Sequence, residues 1–99
     1  MATAIARKGI DGTPAHAGEP PTNRVFNTAS ANVYINGAQA VRVTDTTLCG
    51  DEAIEGSGTV FVNGLAVHRI GDDIFDHTGT TRQCESNVNG GVVGTVIAG

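Results

Sequence analysis

Five side chains of this 99-residue sequence could bind a soft or borderline metal ion: His16, His68, His77, Cys49 and Cys84. Three of them follow an aspartate at nearly constant spacing. His16 stands five residues after Asp11, Cys49 four after Asp45, and His77 five after Asp72. Imidazole and thiolate are the usual ligands of zinc, and three of them converging on one point make three corners of a tetrahedron. Two residues can supply the fourth corner. His68 is one, and Cys84, seven residues beyond His77, is the other. Three histidines and one cysteine suit zinc, and iron accepts the same set.

Other chemistries use the same residues. Cys49 and Cys84 could form a disulfide, giving a stapled secreted β domain that binds a ligand; such a loop constrains the unfolded chain by ~3 kcal/mol or more. Three protein ligands, an open position for water and Glu52 as general base would instead make a zinc hydrolase. Four protein ligands would leave no such position, so the primary reading is a structural metal and no enzyme. His68 can equally fill the core as a satisfied histidine.

The spacing originates in a repeat. Ser30–Asp45 (SANVYINGAQAVRVTD) and Ser57–Asp72 (SGTVFVNGLAVHRIGD) lie 27 residues apart and are identical at 6 of 16 positions. Each holds an Asn-Gly pair, Asn36-Gly37 or Asn63-Gly64, between apolar runs, which is the signature of a tight hairpin turn. A third copy emerges when the chain ends are joined. Gly94–Gly99 resembles the first arm, and Ile5–Asp11 the second, with Ile10 as an extra residue. The sequence therefore predicts an all-β fold: a small conical single domain, residues 1–99, of three pseudo-threefold β-hairpins, the third built from both termini.

The predicted arms are Ala4–Lys8, Asn32–Val43, Gly58–Ile70 and Val92–Ala98, with Val25-Phe26 as a short bridge. Between them run three loops, Asp11–Asn27, Thr44–Glu55 and Gly71–Gly91, the last closing on Gly90-Gly91. No helix is predicted, and Asp72–Phe75 reads as one short turn at most. Strand alternation places His68 level with Ala6 and Val41, so if those residues face the axis, His68 does too. The repeated Asp11, Asp45 and Asp72 read as turn caps. The repeated Arg7, Arg42 and Arg69 read as solvated outer residues pairing weakly with them.

Composition narrows the function. The chain has no Trp, one Tyr, three Phe and 14 Gly, a weak supply of core volume for a domain this small. Such a domain needs a staple, a metal or a partner. A net charge of −4 supplies no basic footprint for nucleic acid. There is no signal-peptide pattern and no apolar run long enough to span a bilayer.

Taken together, Val33-Tyr34-Ile35-Asn36-Gly37 and Val60-Phe61-Val62-Asn63-Gly64, followed by Arg42-Val43-Thr44-Asp45 and Arg69-Ile70-Gly71-Asp72, resemble the PAAR-repeat proteins. So do His16 in an early Gly/Pro-rich loop and the closing Gly94–Gly99. The resemblance implies a spike tip of a contractile phage tail or type VI secretion system. Such a tip caps a trimeric β-helical spike, one copy per trimer, and meets the target cell envelope transiently during puncture. It also implies one structural zinc near the point, with His16, Cys49 and His77 as ligands and His68 as the third histidine. Location would be the virion tail tip, or export through the secretion apparatus. Two features depart from the family pattern. Gln39-Ala40 and Ala66-Val67 stand where Pro-Ala is common. Cys49 is followed by Gly50-Asp51-Glu52, with Glu52 where a histidine often sits. No toxin domain is appended, which favours a bare tip and a phage tail.

Overall fold

The two Asn-Gly pairs set the first local structure. Asn36 and Gly37 have φ of 51° and 85°, and Asn63 and Gly64 have 54° and 80°. Positive φ at both central residues defines the turn whose twist matches a two-residue hairpin. The computed structural model describes residues 3–88 and 94–99. Strands β2 (Tyr34–Ile35) and β3 (Ala38–Gln39) flank the first turn, and β5 (Phe61–Val62) and β6 (Leu65–Ala66) the second. A third antiparallel pair joins the chain ends: β1 (Thr3–Ala4) with β9 (Ile97–Ala98), Thr3 opposite Ala98.

Beyond these short ladders the three second arms pair with one another in a circle. Ala6 N–H donates to His68 O at 2.9 Å, His68 N–H to Val41 O at 2.9 Å, and Val41 N–H to Ala6 O at 3.0 Å. A parallel set runs from Lys8 to Gln39, Val43 to Ala66 and Ile70 to Ala4, each at 2.9 Å. Each second arm thus satisfies the next, which covers the inner edges of the three hairpins. Strand alternation then divides the core. Ile5, Ala40 and Val67 join Ile35, Val62 and Ala98 on the hairpin side. Ala6 and Val41 join Phe26, Ala53, Ile74 and Cys84 on the other.

At the end of every arm one residue turns left-handed: Gly9 (φ 79°), Thr44 (84°) and Gly71 (91°). Its N–H anchors the returning end of the following loop, at Phe26 O (2.8 Å), Ala53 O (2.8 Å) and Cys84 O (2.9 Å). In return the N–H groups of Phe26, Ala53 and Cys84 donate to Asp11 O, Asp45 O and Asp72 O. Each loop is therefore closed at its base by two backbone hydrogen bonds. Cys84 occupies the base position that Phe26 and Ala53 occupy in the other two loops.

The repeated Arg and Asp residues differ from the expectation of solvated outer pairs. Each Asp Oδ2 accepts the backbone N–H and Nε–H of its Arg, and Oδ1 accepts from Nη2. Arg7 and Asp11 are both 1% exposed, and the other two pairs are largely covered. The aspartates do cap the turns, but with a two-point ion pair rather than a simple carboxylate-to-amide bond.

Three further features depart from the sequence reading. Residues expected as loop form a three-stranded sheet in which β7 (Asp73–Phe75) lies between β4 (Glu52–Ala53) and β8 (Thr81–Gln83). So Asp73–Phe75 is strand and not a turn of helix. These strands carry few branched apolar residues, and pairing partners decide their conformation. One helical turn, α1 (Pro21–Arg24), stands in the first loop, where Pro21 sits at the position that tolerates a missing N–H. Of the predicted strand Val92–Ala98, Ile97–Ala98 form β9 and residues 94–96 are not strand; residues 92 and 93, and Gly90-Gly91, lie outside the described residues.

Two substitutions test this framework by thermal or urea unfolding. Asp11→Ala leaves Arg7 buried without its partner and is expected to cost about 3–5 kcal/mol. Thr44→Gly removes a β-branched residue from a left-handed position and is expected to stabilise by about 1 kcal/mol. A loss on Thr44→Gly would show that the threonine methyl contributes more than the backbone strain costs.

Candidate metal centre

The three closed loops extend to the same side of the arms, and their inner side chains meet. His16 comes from the loop between Asp11 and Phe26, Cys49 and Asp51 from that between Asp45 and Ala53, and His77 from that between Asp72 and Cys84. One donor atom from each of His16, Cys49, Asp51 and His77 lies within 4.8 Å of the others, a spread that a single ion can gather. The rings of His16 and His77 are 5.2 Å apart at their centroids.

Local chemistry fixes each donor. His16 Nδ1 lies 2.7 Å from Pro14 O. A carbonyl only accepts, so Nδ1 carries the proton and Nε2 presents the lone pair. His16 Nε2 and Asp51 Oδ2 are buried, lack hydrogen-bond partners and lie 3.0 Å apart. Two such atoms facing one another in a buried place need a proton or a metal ion between them. Asp51 Oδ1 accepts the backbone N–H of His77 at 2.9 Å and faces its ring Nδ1 at 2.7 Å. Asp51 is itself set by its turn: its N–H donates to Thr47 Oγ1 at 3.0 Å, and Thr47 N–H to Asp51 O at 2.9 Å. Gly50, with φ of 94°, permits that turn.

The electrostatics fit a bound cation. Burial pushes the Cys49 thiol above its ordinary range; a hydrogen bond with Thr47 partly offsets this, and the Asp51 carboxylate adds to the rise. A metal must therefore displace the thiol proton. The hydrogen bond to Asp51 raises His77, against a smaller opposing effect of burial. Two neutral imidazoles, one thiolate and one carboxylate would neutralise a divalent ion, and nitrogen, sulfur and oxygen donors together suit zinc. When bound, the ion would cross-link three loops.

The structure thus gathers His16, Cys49 and His77, and leaves His68 out of the group. His68 lies in the arm ring, fully buried, with Nδ1 2.7 Å from Glu55 O and its ring edge-on to Phe26 at 5.3 Å. Alternation turned it inward as predicted, but inward at that level means the packed core, short of the loops. Cys84 is also core, and both cysteines are free thiols, so the disulfide alternative does not hold. Glu52, the candidate base of a hydrolase, is exposed on β4 opposite Phe75. Asp51 was the residue missed. Its one signal was its place two residues after Cys49, which puts both side chains on one turn.

This small all-β domain brings histidine, cysteine and carboxylate donors from its loops to one point, where they could hold a metal ion. Residues 12–75 match the PAAR motif family, and the chain belongs to it. No individual curated protein matches the chain. Proteins of this family are structural tips of membrane-piercing spikes in contractile phage tails and type VI secretion machinery, and they generally cap spike proteins. The chain's function is accordingly that of a spike tip.

Burial lowers the His68 pKa, with the Glu55 carbonyl acting the other way. The unfolded chain then binds a proton below about pH 6.5 that the native state resists, so this residue's contribution is intact above that pH and is lost as pH falls. Its slope cannot exceed about 1.4 kcal/mol per pH unit. His77, shifted upward, contributes with the opposite sign. Denaturant unfolding at pH 6.5 and 5.0 should therefore show a smaller acid loss in His68→Asn than in the wild type, and equal losses would refute the assignment.

Proposed function

We propose that this chain is the metal-hardened point of a puncturing spike, sitting as one copy on the blunt end of a trimeric β-helical partner. The observation that carries this reading is the meeting of His16, Cys49 and His77, one from each loop, in a chain of the PAAR motif family. Loops are ordinarily the softest part of a β domain. A single zinc ion held by donors from all three makes their separation cost the binding free energy of the metal.

The opposite, hairpin end supports the partner reading. Tyr34, Phe61 and Ile97 hold corresponding places in the three strand pairs and are 59%, 59% and 60% exposed. Three corresponding apolar side chains suit a partner that repeats the same surface three times. The outer strand edges of the hairpins can extend the partner's strands by backbone hydrogen bonding. Contact with the target envelope is then brief and made by the loop end, in a phage tail or a secretion apparatus.

Two measurements test this. Elemental analysis is expected to find one zinc per chain, and chelation to lower the unfolding free energy by about 4 kcal/mol where free zinc had exceeded Kd a thousandfold. Native mass spectrometry with the cognate spike is expected to give one copy per three spike chains, weakened by the pair Tyr34→Asp and Phe61→Asp. A metal-free protein of unchanged stability would overturn the first part, and failure to bind the trimer the second.

A further inference from the structure

We propose that Asp51 is the fourth metal ligand of this tip, binding through Oδ2 while its Oδ1 accepts the backbone N–H of His77. The inference rests on the metal-bound reading above and departs from the three-histidine set that the sequence resemblance implied. All three histidines of the chain are located, and His68 is committed elsewhere: its Nδ1 faces the Glu55 carbonyl and its ring packs on Phe26. A third imidazole is therefore not among the gathered donors, and the carboxylate occupies that corner.

Four observations converge on Asp51. Its side chain is fully buried, although among the described residues no arginine or lysine pairs with it. Its Oδ2 has no hydrogen-bond donor. Facing it at 3.0 Å is a histidine nitrogen whose tautomer, set by Pro14 O, leaves a lone pair there. Its Oδ1 accepts the His77 backbone N–H at 2.9 Å and faces the ring Nδ1 at 2.7 Å. His77 Nε2 lies 3.5 Å from Glu19 Oε2, so Nδ1 is the ring nitrogen turned toward Asp51 and the atom that would reach an ion shared with it. Cys49 and Asp51 share the turn closed by Thr47, so the shortest of the three loops contributes two donors.

Zinc titration and cobalt substitution test this in the full chain, on wild type, Asp51→Ala, Asp51→Asn, Asp51→Cys and His68→Asn. Expected are wild-type affinity in His68→Asn and a loss of roughly a hundredfold or more in Asp51→Ala. A loss confined to roughly tenfold to a hundredfold would match an outer-shell partner and overturn direct ligation. Asp51→Asn keeps the size of the side chain and the oxygen facing His77, and is expected to fold while still binding zinc more weakly. Asp51→Cys supplies the direct readout. Zinc X-ray absorption should show two sulfur ligands in place of one, and cobalt should show a stronger thiolate charge-transfer band. One sulfur in Asp51→Cys, or wild-type affinity in Asp51→Ala, overturns the inference and leaves the metal-bound tip standing. No zinc or cobalt bound by the wild type overturns both.

Discussion

Three backbone hydrogen bonds running in a closed circle, Ala6 to His68 to Val41 and back to Ala6, are the constraint from which the rest of this structure follows. Two-residue strands are too short to be stable by themselves. Cyclic pairing gives every arm a partner on both sides, and the small and β-branched residues at this level pack around the axis. The N-terminal arm belongs to the circle, and β9 pairs beside it, so the chain ends are held by the same interaction as the middle. A domain with so little aromatic volume gains order here from closure more than from core size.

The second layer is the junction that converts arms into loops. A left-handed residue redirects the chain, the Arg–Asp pair locks the redirection, and two backbone bonds close the loop that follows. The same device occurs after each arm, at Gly9, Thr44 and Gly71. Loops of different length and conformation consequently leave the framework from equivalent points. Their interiors are free to differ: the first contains a helical turn, the second a tight turn at Gly50, and the third a hairpin of β7 and β8. Convergence of donors depends on the anchored bases, whereas donor identity depends on those interiors.

At the meeting point the electrostatics select a cation. A histidine nitrogen and a carboxylate oxygen face each other out of water, beside a thiol pushed up by burial and a histidine pulled up by the same carboxylate. Such a cluster of like-facing acceptors is unfavourable unless a positive charge joins it. A metal held there would tie three loops together, which fits the mechanical role of the family.

Much of the fold was legible in the residues themselves. Asn-Gly pairs demand positive φ, so the turns of both central hairpins could be placed to the residue, and nearly equal spacing from three aspartates pointed to His16, Cys49 and His77. Those features are local: each depends on a few neighbours in the chain. What the sequence could not disclose depends on partners distant in the chain. The burial of Arg7 against Asp11, the strand at Asp73–Phe75, the base-closing place of Cys84 and the inward turn of His68 into core all follow from which segments stack at which height along the axis. Asp51 shows the limit most clearly. An aspartate in a polar loop looks like any solvated carboxylate until two loops from elsewhere in the chain close over it, remove its water and aim their histidines at its oxygens.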